Sequence, residues 1–78
     1  MPHPKLTGNL VGEQVQTFRK RQDMTQAALS AALSVDYKIE LAPDLISRIE
    51  SGERTVRDKE LHAIAQALGV SPNDLFDW

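Results

Sequence analysis

The sequence predicts an all-α fold, a bundle of five helices with no strand. Apolar residues recur at spacings of three and four along most of the chain, as they do on the buried face of a helix. Gly52 and Gly69 each follow such a segment, at the position where a left-handed glycine commonly ends a helix. Pro43 and Pro72 stand where proline suits the first turn of a helix. These signals divide the chain into five helical segments.

The first two helices are predicted from about residue 9 to residue 22 and from residue 26 onward. In the first, Val11, Val15 and Phe18 repeat at i, i+4 and i+7. Thr25 is suited to cap the second helix, which is expected to bury Ala28, Leu29, Ala32 and Leu33. Residues 1–8 lack this periodicity and contain two prolines, so we expect a flexible N-terminal arm before a domain of residues 9–78.

The other three helices are predicted from their start and stop signals. Ile46 and Ile49 point to the core in the third helix. The fourth helix covers about residues 58–68, with a buried stripe formed by Leu61, Ile64, Ala65 and Leu68. Ser71 caps the fifth helix, and Asp74 is spaced to complete a capping box.

Length and composition restrict the class of protein. A chain of 78 residues forms one small domain and buries only about 60% of the surface that the unfolded chain exposes. It has no cysteine, so helix packing must stabilise it without disulfides or a zinc cluster, with help from dimerisation. No apolar run approaches the ~18 residues of a membrane span, and the first residues do not resemble a signal peptide. We therefore expect a cytoplasmic protein.

The net charge is negative, with nine Lys and Arg against eleven Asp and Glu. DNA-binding domains are often basic, with a pI above about 9. Net charge governs long-range attraction, however, and not the few contacts that read bases. The acidity therefore argues against strong non-specific attraction to nucleic acid, and it does not exclude a protein that makes a few specific contacts with DNA.

Four motifs follow one another between Gln14 and Phe76. They are Arg19-Lys20, Thr25-Gln26-x-x-Leu29-x-x-x-Leu33, Ile46-Ser47-Arg48-Ile49-Glu50-x-Gly52 and Leu68-Gly69-Val70-Ser71-x-x-x-Leu75-Phe76. In this order they resemble the Cro/repressor-type helix-turn-helix domain, the Xre family. Each motif alone is weakly specific, whereas four in sequence are strongly so. The resemblance implies a five-helix, lambda-repressor-like bundle that binds operator DNA, usually as a symmetric dimer.

The segment between the second and third helices departs from the family pattern. A helix-turn-helix turn commonly has about four residues and a glycine. Residues 34–42 form a longer connection without glycine. Added length costs little, because closure entropy grows slowly with loop length. The segment either extends the second helix or forms a bulge that returns Ile39 and Leu41 to the core. The angle between the two helices is left open.

The start of the third helix carries the candidate base-contacting residues, Pro43, Asp44, Ser47 and Arg48. Spacings of three and four put the last three on one side of the helix. Arg48 can donate to O6 and N7 of guanine, which is worth about 1–3 kcal/mol of discrimination. Asp44 can accept from cytosine N4, although it also repels phosphates. An ordinary surface ion pair between Asp44 and Arg48 is the simpler interpretation, and it is compatible with base contacts.

Six residues are predicted to contact the DNA backbone: Thr25, Gln26, Ser51, Arg54, Thr55 and Arg57. The free N–H groups at the start of the second helix suit a phosphate, and the Gln26 amide adds a donor. Arg54 and Arg57 follow the third helix as cations that position the DNA without reading bases. The alternatives are a solvated helix start at Gln26 and a solvated loop at residues 53–58. Lys20 and Arg21 are predicted to lie on a solvated face.

Two further sets of residues are predicted to support the structure. The resemblance implies that Arg19 and Glu50 form a partly buried ion pair between the first and third helices. Leu75, Phe76 and Trp78 either fill the core or form an exposed patch at a two-fold dimer interface.

No enzymatic activity, cofactor or metal site is expected. There is no cysteine nucleophile, His3 lies in the arm, and His62 with Asp58 would supply only two metal ligands where a catalytic zinc needs three. The sequence predicts a sequence-specific DNA-binding transcriptional regulator, a repressor, that binds a palindromic operator as a homodimer. The alternative is a helix-turn-helix module for protein interaction, antitoxin-like or anti-repressor, which the acidity, Asp44 and the long connection favour.

Overall fold

The computed structural model describes the backbone of residues 8–76 and the side chains of residues 11–75. Five helices follow one another: α1 (Gly8–Arg21), α2 (Gln26–Tyr37), α3 (Pro43–Ser51), α4 (Asp58–Leu68) and α5 (Pro72–Phe76). Residues 8–76 contain no strand. The all-α class is thus confirmed. The predicted arm, residues 1–8, lies outside the described residues except for Gly8, which begins α1.

The core lies where the five helices meet. Helix α3 packs against α1 and α2, α4 packs against α2, and α5 packs against α1 and α4. The largest fully buried side chains are Leu29, Leu33, Ile46, Ile49, Ile64, Leu68, Leu75 and Val15. Burying one such side chain contributes about 1.5–3 kcal/mol. Helix packing of this kind is the stabilisation expected of a chain without disulfides.

The prediction of a buried Ala28 was wrong. Leu29 and Leu33 are the buried residues of α2, whereas Ala28 is exposed and Ala32 is only partly buried. Alanines occupy several faces of this helix, so apolar spacing alone does not identify the inward face.

The helix ends lie close to the predicted positions. Thr25 Oγ1 accepts a hydrogen bond from the Ala28 backbone N–H at 3.0 Å, as an N-cap does. Gly52 and Gly69 end α3 and α4 in the left-handed conformation, with φ of 87° and 73°. The Asp74 carboxylate accepts from the Ser71 N–H at 3.0 Å. Local sequence signals therefore determine these boundaries.

The connection between α2 and α3 combines the two alternatives left open. Helix α2 continues to Tyr37, and Lys38 then ends it in the left-handed conformation, with φ of 58°. The chain turns back there, because the Ile39 N–H donates to the Leu33 carbonyl at 2.9 Å. Leu41 is buried and Ile39 is partly buried against the core. The extra residues lengthen the helix first and then return to the core.

Helices α1 and α3 touch backbone to backbone at Gly12. A Cβ at this position would overlap the carbonyl oxygen of Ile49 and would lie 3.2 Å from the carbonyl carbon of Glu50. Only glycine allows this approach, since every other residue carries a Cβ. The crossing fixes the position of α3 on α1, and so the direction of its exposed face.

Candidate nucleic-acid interface

The outer face of α3 presents the predicted base-contacting residues. Pro43, Asp44, Ser47 and Arg48 are all exposed. Ile46 and Ile49, on the opposite side, are 1% and 0% exposed. Nine residues at a rise of 1.5 Å make a helix about 13 Å long, comparable with the ~12 Å width of the major groove of B-DNA. The helix therefore has the size and the polar face needed to enter that groove.

The expected surface ion pair between Asp44 and Arg48 is not formed. Among residues 11–75 the ion pairs are Arg19–Glu50 and Arg54–Glu60. An exposed pair on a helix at i, i+4 is worth only about 0.3–0.5 kcal/mol, so little favours holding these side chains together. Arg48 is consequently an exposed cation on the outer face of α3 that no carboxylate holds in this part of the chain.

Arg19 and Glu50 form a buried ion pair that joins α1 to α3. Arg19 Nε donates to Glu50 Oε2 at 2.7 Å, and Arg19 Nη2 donates to Oε1 at 3.0 Å. The two residues are 7% and 6% exposed. Arg19 Nη1 also donates to the Met24 carbonyl at 2.7 Å, which ties the turn before α2 to the same pair. Two parallel bonds fix the guanidinium and the carboxylate in one plane.

The Glu50 carboxylate also receives two glutamines. Its Oε1 accepts from Gln26 Nε2 at 3.0 Å and from Gln16 Nε2 at 3.3 Å. One carboxylate therefore connects α1, the start of α2 and α3. Gln16 was not among the predicted site residues, although it precedes Arg19 by three residues and so lies on the same face of α1. Gln26 is half-buried and bonded, not a solvated residue at a helix start.

A concavity of about 460 Å³ opens beside this carboxylate. Its lining is polar and comes from α1, α2 and α3: Glu13, Gln16, Gln26, Ser47, Glu50 and Ser51. Ser47 belongs both to this lining and to the outer face of α3. The start of α2, where the predicted phosphate contacts lie, and the exposed face of α3 therefore border one surface.

In the loop after α3, a carboxylate holds one of the two arginines predicted to contact the DNA backbone. Arg54 Nη1 and Nη2 donate to Glu60 Oε1 and Oε2 at 2.9 and 3.0 Å. Hydrogen bonding from Arg54 lowers the pKa of Glu60, and the same bonds raise the pKa of Arg54. Arg57 has an exposed side chain, and its backbone N–H donates to Glu60 Oε1 at 3.1 Å. In this conformation Glu60 holds the Arg54 guanidinium, so the contact of Arg54 with the DNA backbone stays a prediction and would require Arg54 to exchange this partner.

Glu60 was not predicted to be the partner of Arg54. A signal was present, since Glu60 is the third residue of α4 after its N-cap, Arg57, where a glutamate typically accepts the cap N–H. That signal predicts the bond to the Arg57 backbone. It does not predict the ion pair to Arg54, which depends on the path of the loop.

The hydroxyl groups proposed for the DNA backbone are exposed. Ser51 Oγ donates to the Arg48 carbonyl at 3.1 Å in the last turn of α3, and Thr25 Oγ1 caps α2. Thr55 is exposed in the loop. Two of the three hydroxyls thus already bond to the ends of the helices that form the surface.

The predicted interface patch at the C-terminus is only partly described. Leu75 is fully buried in the core of the protomer, so its side chain does not contribute to an exposed patch. The expectation of an interface role for Leu75 is corrected accordingly. The side chain of Phe76 and the whole of Trp78 lie outside the described residues.

Among the described residues, no helix is both long enough and apolar enough to cross a membrane. In the same part of the chain, no group of three or more His, Asp or Glu side chains is arranged to hold a metal ion.

Comparison with known proteins identifies the family. Residues 10–78 match the family model described as a helix-turn-helix domain. The control protein C.BamHI of Bacillus amyloliquefaciens is 34% identical over 70 residues, which cover 88% of this chain and 79% of that protein.

Solved structures of similar fold include two regulators. The clp gene regulator ClgR from Corynebacterium glutamicum superposes with a TM-score of 0.79 and 27% identity over 95% of this chain and 71% of that chain. The P22 c2 repressor protein in complex with synthetic operator 9T has a TM-score of 0.73 and 28% identity over 86% of this chain and 92% of that chain. The chain belongs to the helix-turn-helix family, and within it to the Cro/repressor or Xre type. It is a DNA-binding transcriptional regulator.

Proposed function

We propose that the protein is a sequence-specific repressor that binds operator DNA with α3 in the major groove. The observation that carries this proposal is the outer face of α3, whose exposed residues Pro43, Asp44, Ser47 and Arg48 are backed by buried Ile46 and Ile49. The Arg19–Glu50 pair holds this helix from behind, at 2.7 Å. A helix held in one orientation can align its side chains with base edges.

Arg48 is the leading candidate for base recognition. Its guanidinium is exposed and unpaired by any carboxylate of residues 11–75, and its fork geometry matches O6 and N7 of guanine. The Ser47 hydroxyl can donate a hydrogen bond to a base edge or accept one from it, and the Asp44 carboxylate can accept one from N4 of a cytosine. Pro43, at the first position of α3, offers an apolar contact to a thymine methyl group.

The start of α2 is the proposed phosphate site. The N–H groups of its first turn and the positive end of the helix dipole favour an anion there. Gln26 uses one amide hydrogen for Glu50, and the second is available for a phosphate oxygen. At the end of α3 and in the loop that follows it, Ser51, Thr55 and Arg57 are the candidates for further phosphate contacts.

We further propose that two copies bind a palindromic operator as a homodimer. The two α3 helices would then enter successive major grooves about 34 Å apart. Phe76 and Trp78 remain the candidates for the interface. The P22 c2 repressor structure, which contains a synthetic operator, supports DNA as the partner. We also propose that the protein acts in the cytoplasm and has no enzymatic activity. Both are consistent with the regulators among the similar proteins.

A second candidate function is protein interaction through the same face. The net charge of −2 favours it, as do the exposed carboxylates of Glu13 and Asp44 beside the concavity and on α3. An antitoxin-like or anti-repressor partner would need a basic surface to match these groups.

The deciding experiment is selection of bound duplexes from a random DNA library with the purified protein, at low and near-physiological salt. Recovery of a palindrome with half-sites one helical turn apart supports the dimeric repressor. Recovery of single half-sites supports DNA reading by a monomer. If no motif is enriched at either salt concentration, the protein-interaction function becomes the better explanation.

A further inference from the structure

The Arg54–Glu60 pair is a bidentate ion pair at the edge of the proposed DNA-binding surface. Both guanidinium Nη atoms bond to the carboxylate, at 2.9 and 3.0 Å. The Arg54 side chain is 27% exposed and that of Glu60 is 14% exposed. The pair therefore lies at the surface, within reach of solvent and of a partner that approaches α3.

Arg54 lies where the end of α3 would leave the major groove. Its backbone N–H donates to the Arg48 carbonyl at 3.1 Å, so it folds back on the last turn of α3. Because α3 is about as long as the groove is wide, residues directly after its last turn stand next to a phosphate wall. An unpaired arginine at this position would be a phosphate-binding group.

Glu60 is fixed independently of Arg54. Its Oε1 accepts from the Arg57 N–H at 3.1 Å, which anchors the carboxylate at the start of α4. Arg54 is attached to the loop, and its guanidinium makes one further bond, from Nη1 to the Thr55 carbonyl at 3.2 Å. The carboxylate is thus a stationary acceptor, and the guanidinium is the partner that can exchange.

We propose that Glu60 is an intramolecular competitor of the DNA phosphates for Arg54 and thereby sets the DNA affinity of the protein. This inference rests on the proposed binding of DNA through α3. A carboxylate and a phosphate offer the same pair of anionic oxygens to an arginine fork, so one guanidinium serves one of them at a time. With Arg54 held by Glu60, the loop contributes one cation fewer to the phosphates.

The salt dependence of binding distinguishes this role from a merely structural one. Each phosphate neutralised by a protein cation adds about 0.9 to the magnitude of the slope of log K against log salt concentration. We therefore expect Glu60→Gln to release Arg54 and steepen the slope by about 0.9. At roughly 0.1 M salt this corresponds to tighter binding on the order of 5- to 10-fold. Specific and non-specific duplexes gain alike, because phosphates carry no sequence information.

The matched control is Glu53→Gln, which removes the same charge from an exposed neighbour of Arg54 that forms no ion pair with it. Glutamine at residue 60 keeps an acceptor for the Arg57 N–H, so the start of α4 is preserved. The double variant Glu60→Gln with Arg54→Ala should lose the gain in slope, so that its slope equals that of Glu53→Gln. Arg54→Ala alone should have the same slope as the unaltered protein. Thermal melting of each variant verifies that it is folded.

Four results are decisive. A gain in slope with Glu60→Gln that disappears in the double variant supports the competition. The competition is overturned if Glu60→Gln and Glu53→Gln have equal slopes. It is also overturned if Arg54→Ala alone has a slope about 0.9 shallower than the unaltered protein, because Arg54 would then already contact DNA. If the unaltered protein binds no duplex at any salt concentration, the proposed DNA binding through α3 fails as well, and that outcome is distinct from the first three. If Glu60→Gln does not fold, Arg54→Ala is compared with the unaltered protein. An unchanged slope then supports the competition, and a slope about 0.9 shallower overturns it.

Discussion

Gly12 of α1 faces the carbonyl oxygen of Ile49 in α3 with no space for a side chain between them. The two helices cross by direct backbone contact, one residue before the carboxylate of Glu50 that ties them together. The crossing and the ion pair act on the same helix, α3, whose other side is the proposed DNA-reading face. A substitution that disrupts the crossing or the ion pair should therefore lower both the stability and the DNA affinity of the protein.

Gly12→Ala is expected to destabilise the domain by about 1–3 kcal/mol or more, because the new Cβ forces α1 and α3 apart. In a domain of this size that corresponds to a fall in Tm of roughly 5–20 °C. The comparison is Gly69→Ala, where space is open but φ is +73° and the cost is about 1–2 kcal/mol of backbone strain. Operator affinity of the folded protein should fall with Gly12→Ala and not with Gly69→Ala. Equal effects of both variants on affinity would contradict this account.

Glu50→Ala is expected to cost about 3–5 kcal/mol, since it leaves the buried Arg19 guanidinium without its carboxylate. Urea unfolding measures the loss, with Glu53→Ala as a control at an exposed glutamate. Replacing both partners, Arg19→Met with Glu50→Leu, should cost less than Glu50→Ala alone because no charge is stranded. A midpoint of urea unfolding for Glu50→Ala close to that of the unaltered protein would refute the prediction.

Arg48→Ala is expected to weaken specific binding by about 1–3 kcal/mol and to relax the preference at one base position per half-site. Competition between operator variants, each with a single base change, measures both effects. Lys20→Ala removes the same charge from an exposed residue of α1 and serves as the control. An equal loss on every duplex would mean that Arg48 contacts phosphate and does not read a base.

The pH dependence of stability should report on the Arg54–Glu60 pair. The pKa of Glu60 is lowered in the folded state from its ordinary value of 4.5, mainly by the hydrogen bonds from Arg54. The pair therefore contributes fully above pH 4.5, and its contribution disappears as the pH falls through the lowered pKa. We expect the free energy of unfolding to decline on acidification more steeply in the unaltered protein than in Glu60→Gln. Parallel declines in the two proteins would count against the pair.

Lys38→Gly is expected to stabilise the domain by up to about 1 kcal/mol, because lysine pays a steric cost in the left-handed conformation that glycine avoids. Thermal melting measures the gain. Lys59→Gly, in the first turn of α4, is the control with the opposite sign, because glycine is a poorer helix former than lysine and costs up to about 1 kcal/mol. A loss of stability with Lys38→Gly would indicate that the lysine side chain stabilises the turn.

The helix ends could be predicted because their causes are local. Thr25, Gly52 and Gly69 act within a few residues of their own positions, so a single sequence reveals them. The outward residues of α3 followed in the same way from the spacing of Ile46 and Ile49.

The partners of the charged residues could not be predicted in this way. The Arg54–Glu60 pair depends on how a loop bends back on α4, and the contact of Gln16 with Glu50 depends on the crossing of α1 and α3. The role of Gly12 likewise depends on a neighbour 37 residues away, counted from 12 to 49. Spacing within one helix carries no information on any of these distances.

The three-helix attachment of Glu50 has a consequence for how DNA and protein adapt to each other. Since α1, the start of α2 and α3 meet at one carboxylate, the proposed phosphate site and the proposed DNA-reading face keep a constant separation. An inflexible protein surface leaves the duplex to bend or twist until both contacts are made, and the energy of that distortion depends on the base steps involved. Operators for such a protein would be ranked partly by the stiffness of base pairs that no side chain touches.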